Sequence, residues 1–383
     1  MKISKTFLRI GIDARFIGPE GTGLGKYTEK LIENLQTIDN KNVYFIFLKK
    51  TNWHSLKLQN QNFKKVLADV NWYSLEEQLK MPSIFNSQSL DLLHVPHFNA
   101  PIFYRKKFIV TIHDLIHHNF TQESTTTLNP LIYKIKRGAY KITIGKAVKK
   151  SVKIITPSQH VKEELIETFG VKKEKIIVIN EAAEEEYFTI PKMTKVGLVL
   201  QKYNIQKPYL TYIGNAYPHK NLEKLFDAIN IINNVQKLNL VVVTARNLFS
   251  NRLKAQIAKK NLGQNIQVTP YIQSDELNII LRSSQAYIFP SLSEGFGIPG
   301  LNAMAAGVPV LASKIPTLQE IYQEAAIYFD PNKPTDIADK INNLLKSTKT
   351  KEELIKKGNL QVNKYSWQKM AAETLKVYES ILE

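Results

Sequence analysis

Short apolar runs separated by stretches of helical periodicity recur along the whole chain. Phe7–Ile12, Val43–Leu48, Leu92–Val95, Phe108–Ile112, Val152–Thr156 and Ile176–Ile179 predict strands, most of them buried on both faces. Between the first two, Leu24, Tyr27, Leu31, Leu35 and Ile38 fall at three- and four-residue intervals and predict a helix. The second half repeats the scheme. Tyr209–Ile213, Leu240–Thr244, Ile266–Thr269, Ala286–Phe289 and Val308–Leu311 read as strands, and Leu222, Leu225, Phe226, Ile229 and Ile232 mark a helix. Such alternation predicts an α/β class with parallel sheets covered on both faces, arranged as two doubly wound, Rossmann-like domains. No sequence repeat relates the halves.

The pattern lapses between Glu181 and Pro208, where an acidic cluster (Glu184, Glu185, Glu186), Pro191 and polar, lysine-rich sequence intervene. A boundary there predicts one domain over 1–186 and a second over 187–365. Open parallel sheets bind ligands beyond the carboxyl ends of their strands, so the site is expected in a cleft across which the two domains face each other.

Composition narrows the classes. The chain has 383 residues, 43% of them apolar and 22% charged, which suits a globular protein of two or three domains. No uninterrupted apolar window of about eighteen residues suggests a transmembrane helix, and no secretory leader is apparent. Without cysteine there is no disulfide, thiolate metal site or cysteine nucleophile. These features predict a cytoplasmic protein. The net charge of +18 favours an anionic partner. From Ser124 to Lys162 there is no acidic residue, while Lys134, Lys136, Arg137, Lys141, Lys146, Lys149, Lys150 and Lys153 crowd together. Either a solvated helix face or an anion-facing surface accounts for that stretch.

Candidate chemistry gathers at strand ends. Gly18 to Lys26 follows the first strand and opens the first helix, with Gly23 and Gly25 inside it. Glu20 and Tyr27 exclude a Walker loop and Lys26 excludes the dinucleotide fingerprint; a phosphate-approaching turn and a tight structural turn both remain open. His113-Asp114 follows a strand, with His94, His97, His117 and His118 nearby, yet no pair has zinc-ligand spacing and no metal is expected. Asn215, His219 and Lys220 lie between a strand end and a helix, Lys220 being a suitable point charge for phosphate. The segment from Phe289 to Gly300 follows another strand. Gly295 and Gly297, flanking Phe296, would let backbone amides face a ligand, and the helix beginning near Gly300 favours an anion. Glu294 beside them could accept from sugar hydroxyls.

Ser293-Glu-Gly-Phe-Gly-Ile-Pro299, with Pro218-His-Lys-Asn221 upstream and Thr111-Ile-His-Asp-Leu115 in the first half, resembles the family 4 glycosyltransferases of GT-B fold. The resemblance spans nearly the whole chain, from Gly11-Ile-Asp-Ala-Arg15 to Tyr365-Ser-Trp367. It implies a retaining, metal-independent transferase that needs no cofactor beyond its nucleotide-sugar substrate. It implies that Glu294 contacts donor-sugar hydroxyls, helped by backbone at Gly295, Phe296 and Gly297, and that Lys220 holds the diphosphate. His113 would lie near the sugar, the Gly23-Leu24-Gly25 turn near the diphosphate, and Tyr271-Ile272 would read the base with its backbone. The helix over 366–383 would cross back onto the first domain.

Three positions depart from the family pattern. Asn302 stands where a second glutamate binds the ribose, a change expected to cost about 1 kcal/mol of binding. Asn215 stands where many members have a phosphate-binding arginine, and Thr244-Ala-Arg246 where a glycine is common. The resemblance is nearest to bacterial surface-polysaccharide mannosyltransferases, which implies GDP-mannose as donor and a glycan or polyprenyl-diphosphate-linked acceptor at the inner face of a membrane. The alternatives are a weak or inactive homologue, another GT-B chemistry, and a basic nucleic-acid-binding protein. Nucleic acid is not the expected partner, because only Tyr133 and Tyr140 interleave with the basic run.

Overall fold

The computed structural model describes residues 7–18, 22–120, 130–192, 194–244, 248–269 and 272–381. They divide into two compact units. The first holds the described residues up to His118, those over 130–181, and those from Ser366 on; the second holds Asn119, Phe120 and Ala182–Tyr365. The division falls at Glu181, five residues before the expected one. The segment after Glu181 is tied to the second unit: Asn278 donates to the Glu186 carbonyl at 2.8 Å and Arg282 to the Tyr187 carbonyl at 2.6 Å.

In the first unit the chain runs β1 (Arg9–Asp13), α1 (Thr22–Ile38), β2 (Val43–Leu48), β3 (Phe63–Leu67), α2 (Leu75–Ser87), β4 (Leu92–Val95) and β5 (Phe108–Thr111). It continues through α3 (Ile116–Asn119), α4 (Pro130–Lys150), β6 (Lys153–Thr156), α5 (Gln159–Phe169) and β7 (Ile176–Val178). The strands form one parallel sheet in the order β3-β2-β1-β4-β5-β6-β7. The central strands are buried along most or all of their length, which is why they read as unbroken apolar runs. β3 is the exception. It is an edge strand with Lys64 and Lys65 in its middle, and the apolar pattern does not announce it.

The second unit runs α6 (Thr194–Lys202), β8 (Tyr209–Ile213), α7 (Leu222–Asn233), β9 (Asn239–Val243), α8 (Leu248–Lys259), β10 (Ile266–Thr269), α9 (Ser274–Arg282) and β11 (Tyr287–Phe289). Then come α10 (Ile298–Ala305), β12 (Val310–Ser313), α11 (Pro316–Tyr322), β13 (Ala326–Phe329), α12 (Pro334–Lys346) and α13 (Thr348–Val362). Its sheet is also parallel, in the order β10-β9-β8-β11-β12-β13. β12 starts two residues later than expected. The Val308 amide still bonds the Ala303 carbonyl at the helix end, and Pro309 has no amide to give. β13, a short edge strand, is the other strand that the apolar pattern does not announce.

The last helix, α14 (Trp367–Ser380), belongs to the first unit, where it packs along α1. Ser366 caps it by accepting from the Lys369 amide at 3.0 Å. Its buried face carries Trp367, Met370, Ala371, Val377 and Tyr378. The Tyr378 hydroxyl lies 2.6 Å from Nδ1 of His94 on β4, whose Nε2 is 2.8 Å from Thr111 Oγ1. Burial, with the neighbouring charge of His113, lowers the His94 pKa to about 3, so this histidine is a neutral structural linker.

Candidate functional site

In each sheet the strand order reverses at one place, between β1 and β4 in the first and between β8 and β11 in the second. Loops diverge at such a point and leave room for a ligand. The second unit builds its site there. After β8 the chain makes a single 3-10 turn over Pro218–Lys220, and Asn221 (φ 57°) turns it into α7. After β11 it runs through 290–297 into α10. The two loops are stitched together: the Leu292 amide donates to the His219 carbonyl at 2.8 Å, and the Asn221 side chain donates to the carbonyls of Pro290 (3.1 Å) and Pro331 (2.7 Å).

That stitching places Lys220 Nζ 2.5 Å from Glu294 Oε1, although the residues are 74 positions apart. Their side chains are only 15% and 10% exposed. The ammonium also stands 5.7 Å from the Phe289 ring centroid, and Thr317 Oγ1 fixes the Glu294 carbonyl at 2.8 Å. A cation and a carboxylate are therefore held side by side, mostly out of water, at the carboxyl edge of the sheet. There each interacts with a charged or hydroxyl-bearing ligand more strongly than it would in bulk solvent.

Beneath them lie three buried tyrosines that the sequence reading did not single out. Tyr212 donates to the Asn215 carbonyl (2.7 Å), Tyr287 to the Ile213 carbonyl (3.2 Å) and Tyr322 to the Gly297 carbonyl (2.5 Å). Each hydroxyl thus holds the backbone of a site loop. Burial pushes all three phenols well above their ordinary range, and the Glu294 charge adds to the effect, so they stay neutral donors. For Tyr212 and Tyr287 the sequence signal is a tyrosine inside a strand-like apolar run, whose hydroxyl must find a partner once buried; Tyr322, at the end of a mixed helix, has no such signal.

Two glycines of the 289–300 segment, Gly297 and Gly300, have a packing reason. A Cβ on Gly297, whose φ is +103°, or on Gly300 would collide with the Tyr322 hydroxyl. Their small size lets the loop sit on that tyrosine. Phe296 is buried edge-on against Tyr365, with centroids 5.4 Å apart, which leaves only its backbone at the loop. Gly295 is half-buried beside it. Among the described residues no side chain caps α10, so its amino end remains an electropositive edge of the site.

Asn302 is committed elsewhere. Its Oδ1 accepts from the Glu184 amide at 2.9 Å and its Nδ2 donates to Glu184 Oε1 at 3.2 Å. The acidic cluster read as linker therefore places a clamped carboxylate at Asn302. Asn215 is half-buried at the end of β8, and Ile272 is buried in a small core with Ile279 and Ile280. Tyr271 and Arg246 lie outside the described residues.

In the first unit, Gly23 and Gly25 do not form a turn. They lie in the first turns of α1. A side chain on Gly25 would strike the Phe16 carbonyl, so this glycine lets the helix start press against the loop after β1; Gly23 faces open space. His113 is mostly buried after β5, with Nδ1 2.8 Å from Glu181 Oε1 and Nε2 3.2 Å from the Pro96 carbonyl. Both partners are acceptors, and only the doubly protonated ring satisfies both. Burial lowers its pKa, but the Glu181 hydrogen bond and charge, with Asp114 and the Pro96 carbonyl, more than offset this and the net direction is up. His97 is pushed well below its ordinary value by burial and by the charges of His113 and His117. Among the described residues no three His, Asp or Glu side chains converge as a metal site.

Two family models match the chain, one in each half: Glycosyltransferase Family 4 over residues 23–186 and Glycosyl transferases group 1 over residues 200–361. The chain is 24% identical over 329 residues to the O-antigen chain mannosyltransferase RfbU of Salmonella typhimurium, covering 82% of this chain and 85% of that protein. It is 26% identical over 230 residues to the O-antigen chain mannosyltransferase B of Escherichia coli, covering 59% of this chain and 60% of that one. The crystal structure of Anabaena Alr3699/HepE in complex with UDP and glucose superposes with a TM-score of 0.75 at 13% identity, covering 97% and 100% of the two chains.

Proposed function

We propose, on the premise that the chain belongs to the family 4 glycosyltransferases of GT-B fold, that it is a retaining enzyme moving mannose from GDP-mannose to a glycan or polyprenyl-diphosphate-linked acceptor. The observation that carries the site assignment is the Lys220–Glu294 pair at the switch point of the second sheet. In this reading Glu294 accepts from the hydroxyls of the donor sugar. Lys220, with the amino end of α10, takes the diphosphate and neutralises the charge that grows as it leaves. No metal is then required, because the ammonium supplies the positive charge.

The reaction is a front-side displacement. The acceptor oxygen bonds the anomeric carbon on the face from which the diphosphate departs, the carbon–oxygen bond to the diphosphate breaks, and the acceptor proton passes to a departing phosphate oxygen. The products are the glycoside, with its anomeric configuration kept, and the nucleoside diphosphate. The protein need only orient its partners and stabilise charge. Glu184, clamped by Asn302, supplies the carboxylate for the ribose hydroxyls that a glutamate at 302 would otherwise give. The resemblance assigns His113 to the sugar, where, held charged by Glu181, it adds positive potential. The mannosyl donor and an O-antigen-like acceptor rest on the names of the two relatives.

Thermal shift without added metal, over a panel of nucleotides and nucleotide sugars, tests the reading. One diphosphate sugar should raise the melting temperature, by about 3 kcal/mol of stabilisation at a hundredfold excess over Kd. Lys220→Ala and Glu294→Ala should abolish the shift, and Glu184→Gln should weaken it about tenfold in Kd, the loss of one charge-assisted hydrogen bond. A cooperatively melting protein that responds to no nucleotide sugar would overturn the proposal.

A further inference from the structure

At the switch point of the first sheet the loops after β1 and β4 carry aromatic rings. His97, after β4, stands 5.2 Å from Phe16, after β1, and 5.9 Å from Tyr73, which leans in from the connection between β3 and α2. Neighbouring Trp72 is already occupied: Phe16 stacks on it at 4.4 Å and the Lys49 ammonium stands 4.7 Å from its ring centroid. Tyr73 is not, and 54% of it is exposed.

Its backbone is the unusual feature. Tyr73 has φ 59°, in the left-handed region; among the described residues the other non-glycine positions there are three asparagines, a serine and a glutamine. A bulky residue holds such a conformation only where its surroundings over-determine it. Here they do. The Tyr73 amide donates to Glu77 Oε2 at 2.8 Å, and Glu77 is itself held by Arg15 and Asn99, each at 2.6 Å. Ser74, the next residue, donates to the Asn71 carbonyl at 2.7 Å and accepts from the Glu77 amide at 3.1 Å. A turn needed only for its shape would be met by glycine, which has no Cβ to strain. What tyrosine adds is a ring, held still and half in water at the carboxyl edge of the sheet.

The surroundings select what that ring meets. Its face is electron-rich and attracts the polarised C–H groups of a sugar ring. Burial, then the charges of Glu77 and Asp114, push the Tyr73 phenol above its ordinary range. Both neighbouring charges are negative, in a chain whose net charge is +18, so a phosphate is disfavoured there and a neutral glycan is not. His97 supplies the polar edge. Its Nδ1 is buried without a hydrogen-bond partner, a state that calls for one, and the neutral ring keeps one donor and one acceptor nitrogen.

We propose that Tyr73 and His97 read the sugar end of the acceptor, Tyr73 stacking on the apolar face of a neutral pyranose and His97 meeting one of its hydroxyls. The inference deepens the transfer reading and rests on it for the word acceptor; the binding itself is tested without donor. The test is saturation-transfer difference NMR on the full chain, with Glu294→Ala in every protein to silence sugar contacts at the donor site. The probes are the methyl α-glycosides of mannose, glucose, galactose, rhamnose and N-acetylglucosamine, with farnesyl phosphate as an anionic competitor. At least one glycoside should receive saturation from the Glu294→Ala parent, and farnesyl phosphate should not displace it. Tyr73→Phe should keep the affinity, Tyr73→Ala should weaken it about tenfold through loss of the stacked ring, and His97→Phe about fivefold through loss of one hydrogen bond. Tyr73→Gly removes the ring and relieves the backbone together. It should lose the glycoside as the alanine variant does while melting no lower than the parent, which a purely structural role would not give. With Glu294 restored, Tyr73→Ala should keep the thermal shift with nucleotide sugar, so failure here and failure of the donor reading are distinguished. A parent that binds no glycoside, an alanine variant that binds as the parent does, or a glycine variant that melts well below it would overturn the proposal. So would displacement of the glycoside by farnesyl phosphate.

Discussion

The smallest units that matter here are single hydroxyls and ring nitrogens. The Tyr322 hydroxyl donates to the Gly297 carbonyl, and Gly297 and Gly300 are glycines because that ring occupies the space of a Cβ. Tyr322→Phe keeps the ring and removes this hydrogen bond from a carbonyl that still accepts from the Gly300 amide at 3.1 Å, a loss of about 1 kcal/mol. It should therefore lower the melting temperature and weaken donor binding together, whereas a phenylalanine at the equally buried Tyr209, which bonds the Ile280 carbonyl away from the loop, should lower stability alone. Calorimetry paired with donor titration separates the two. His113 gives a pH prediction. Its folded pKa is raised above the unfolded value of about 6.5, so its charged form stabilises the first unit fully below that value and the contribution is lost as pH rises through the folded pKa. The stability gap between the parent and His113→Gln should thus be widest in mild acid and close on the alkaline side. A gap that widens with pH in denaturant melts would refute the charged assignment. At this scale the sequence was informative about which residues stand at strand ends, because glycine and proline after an apolar run mark a loop. It was silent on partners. Lys220 meets Glu294 across 74 positions and Asn302 meets Glu184 across 118, and no local pattern encodes such pairs.

At the scale of elements, the strands that were legible are mostly those buried on both faces. β2, β4 and β8 have the bounds that their apolar runs predict, as does the edge strand β10, whereas the edge strands β3 and β13 do not stand out from the flanking polar sequence. The end of β1 shows a second limit. Gly11-Ile-Asp-Ala-Arg15 entered the family resemblance, but its physical role is a buried charge network. The Arg15 guanidinium bonds both Asp13 oxygens (2.8 and 2.6 Å), Glu77 Oε1 (2.6 Å) and the Val70 carbonyl (3.1 Å). Glu77 in turn accepts from Asn99 (2.6 Å) and the Tyr73 amide (2.8 Å). This network fastens the start of α2 to the end of β1. Arg15→Met would leave two carboxylates facing each other without a cation, at a cost of about 3 to 5 kcal/mol. The carboxylates recover part of that by taking up a proton, so the variant should be most deficient at neutral pH and regain stability as pH falls towards the carboxylate range. Urea midpoints at two pH values would show it; equal deficits at both would mean that the network is held by packing rather than by charge.

For the whole molecule, chain order and structural order disagree most plainly at α14. The last helix returns to the unit that the chain left at Glu181, so the first unit is incomplete until the final residues are in place. Its sheet and α1 bury Trp367, Met370, Ala371, Val377 and Tyr378 of α14. At about 1.5 to 3 kcal/mol for each large apolar side chain, that interface contributes on the order of 10 kcal/mol, comparable to the whole net stability of an ordinary domain. Removing it would also leave His94 without the Tyr378 hydroxyl at one ring nitrogen. The sheet of the second unit, its helices and the Lys220–Glu294 pair all lie within Ala182–Tyr365. A chain ending at Tyr365 should therefore lose amide protection across β1, β2, β4 and β5 while β8, β9, β11 and β12 stay protected, and donor contacts made by the second unit alone should survive in weakened form. Hydrogen exchange read by mass spectrometry, with and without nucleotide sugar, resolves the two sheets in one experiment. Equal loss of protection in both would mean that the units fold as one body, and that the apparent division of labour between them ends at the level of contacts.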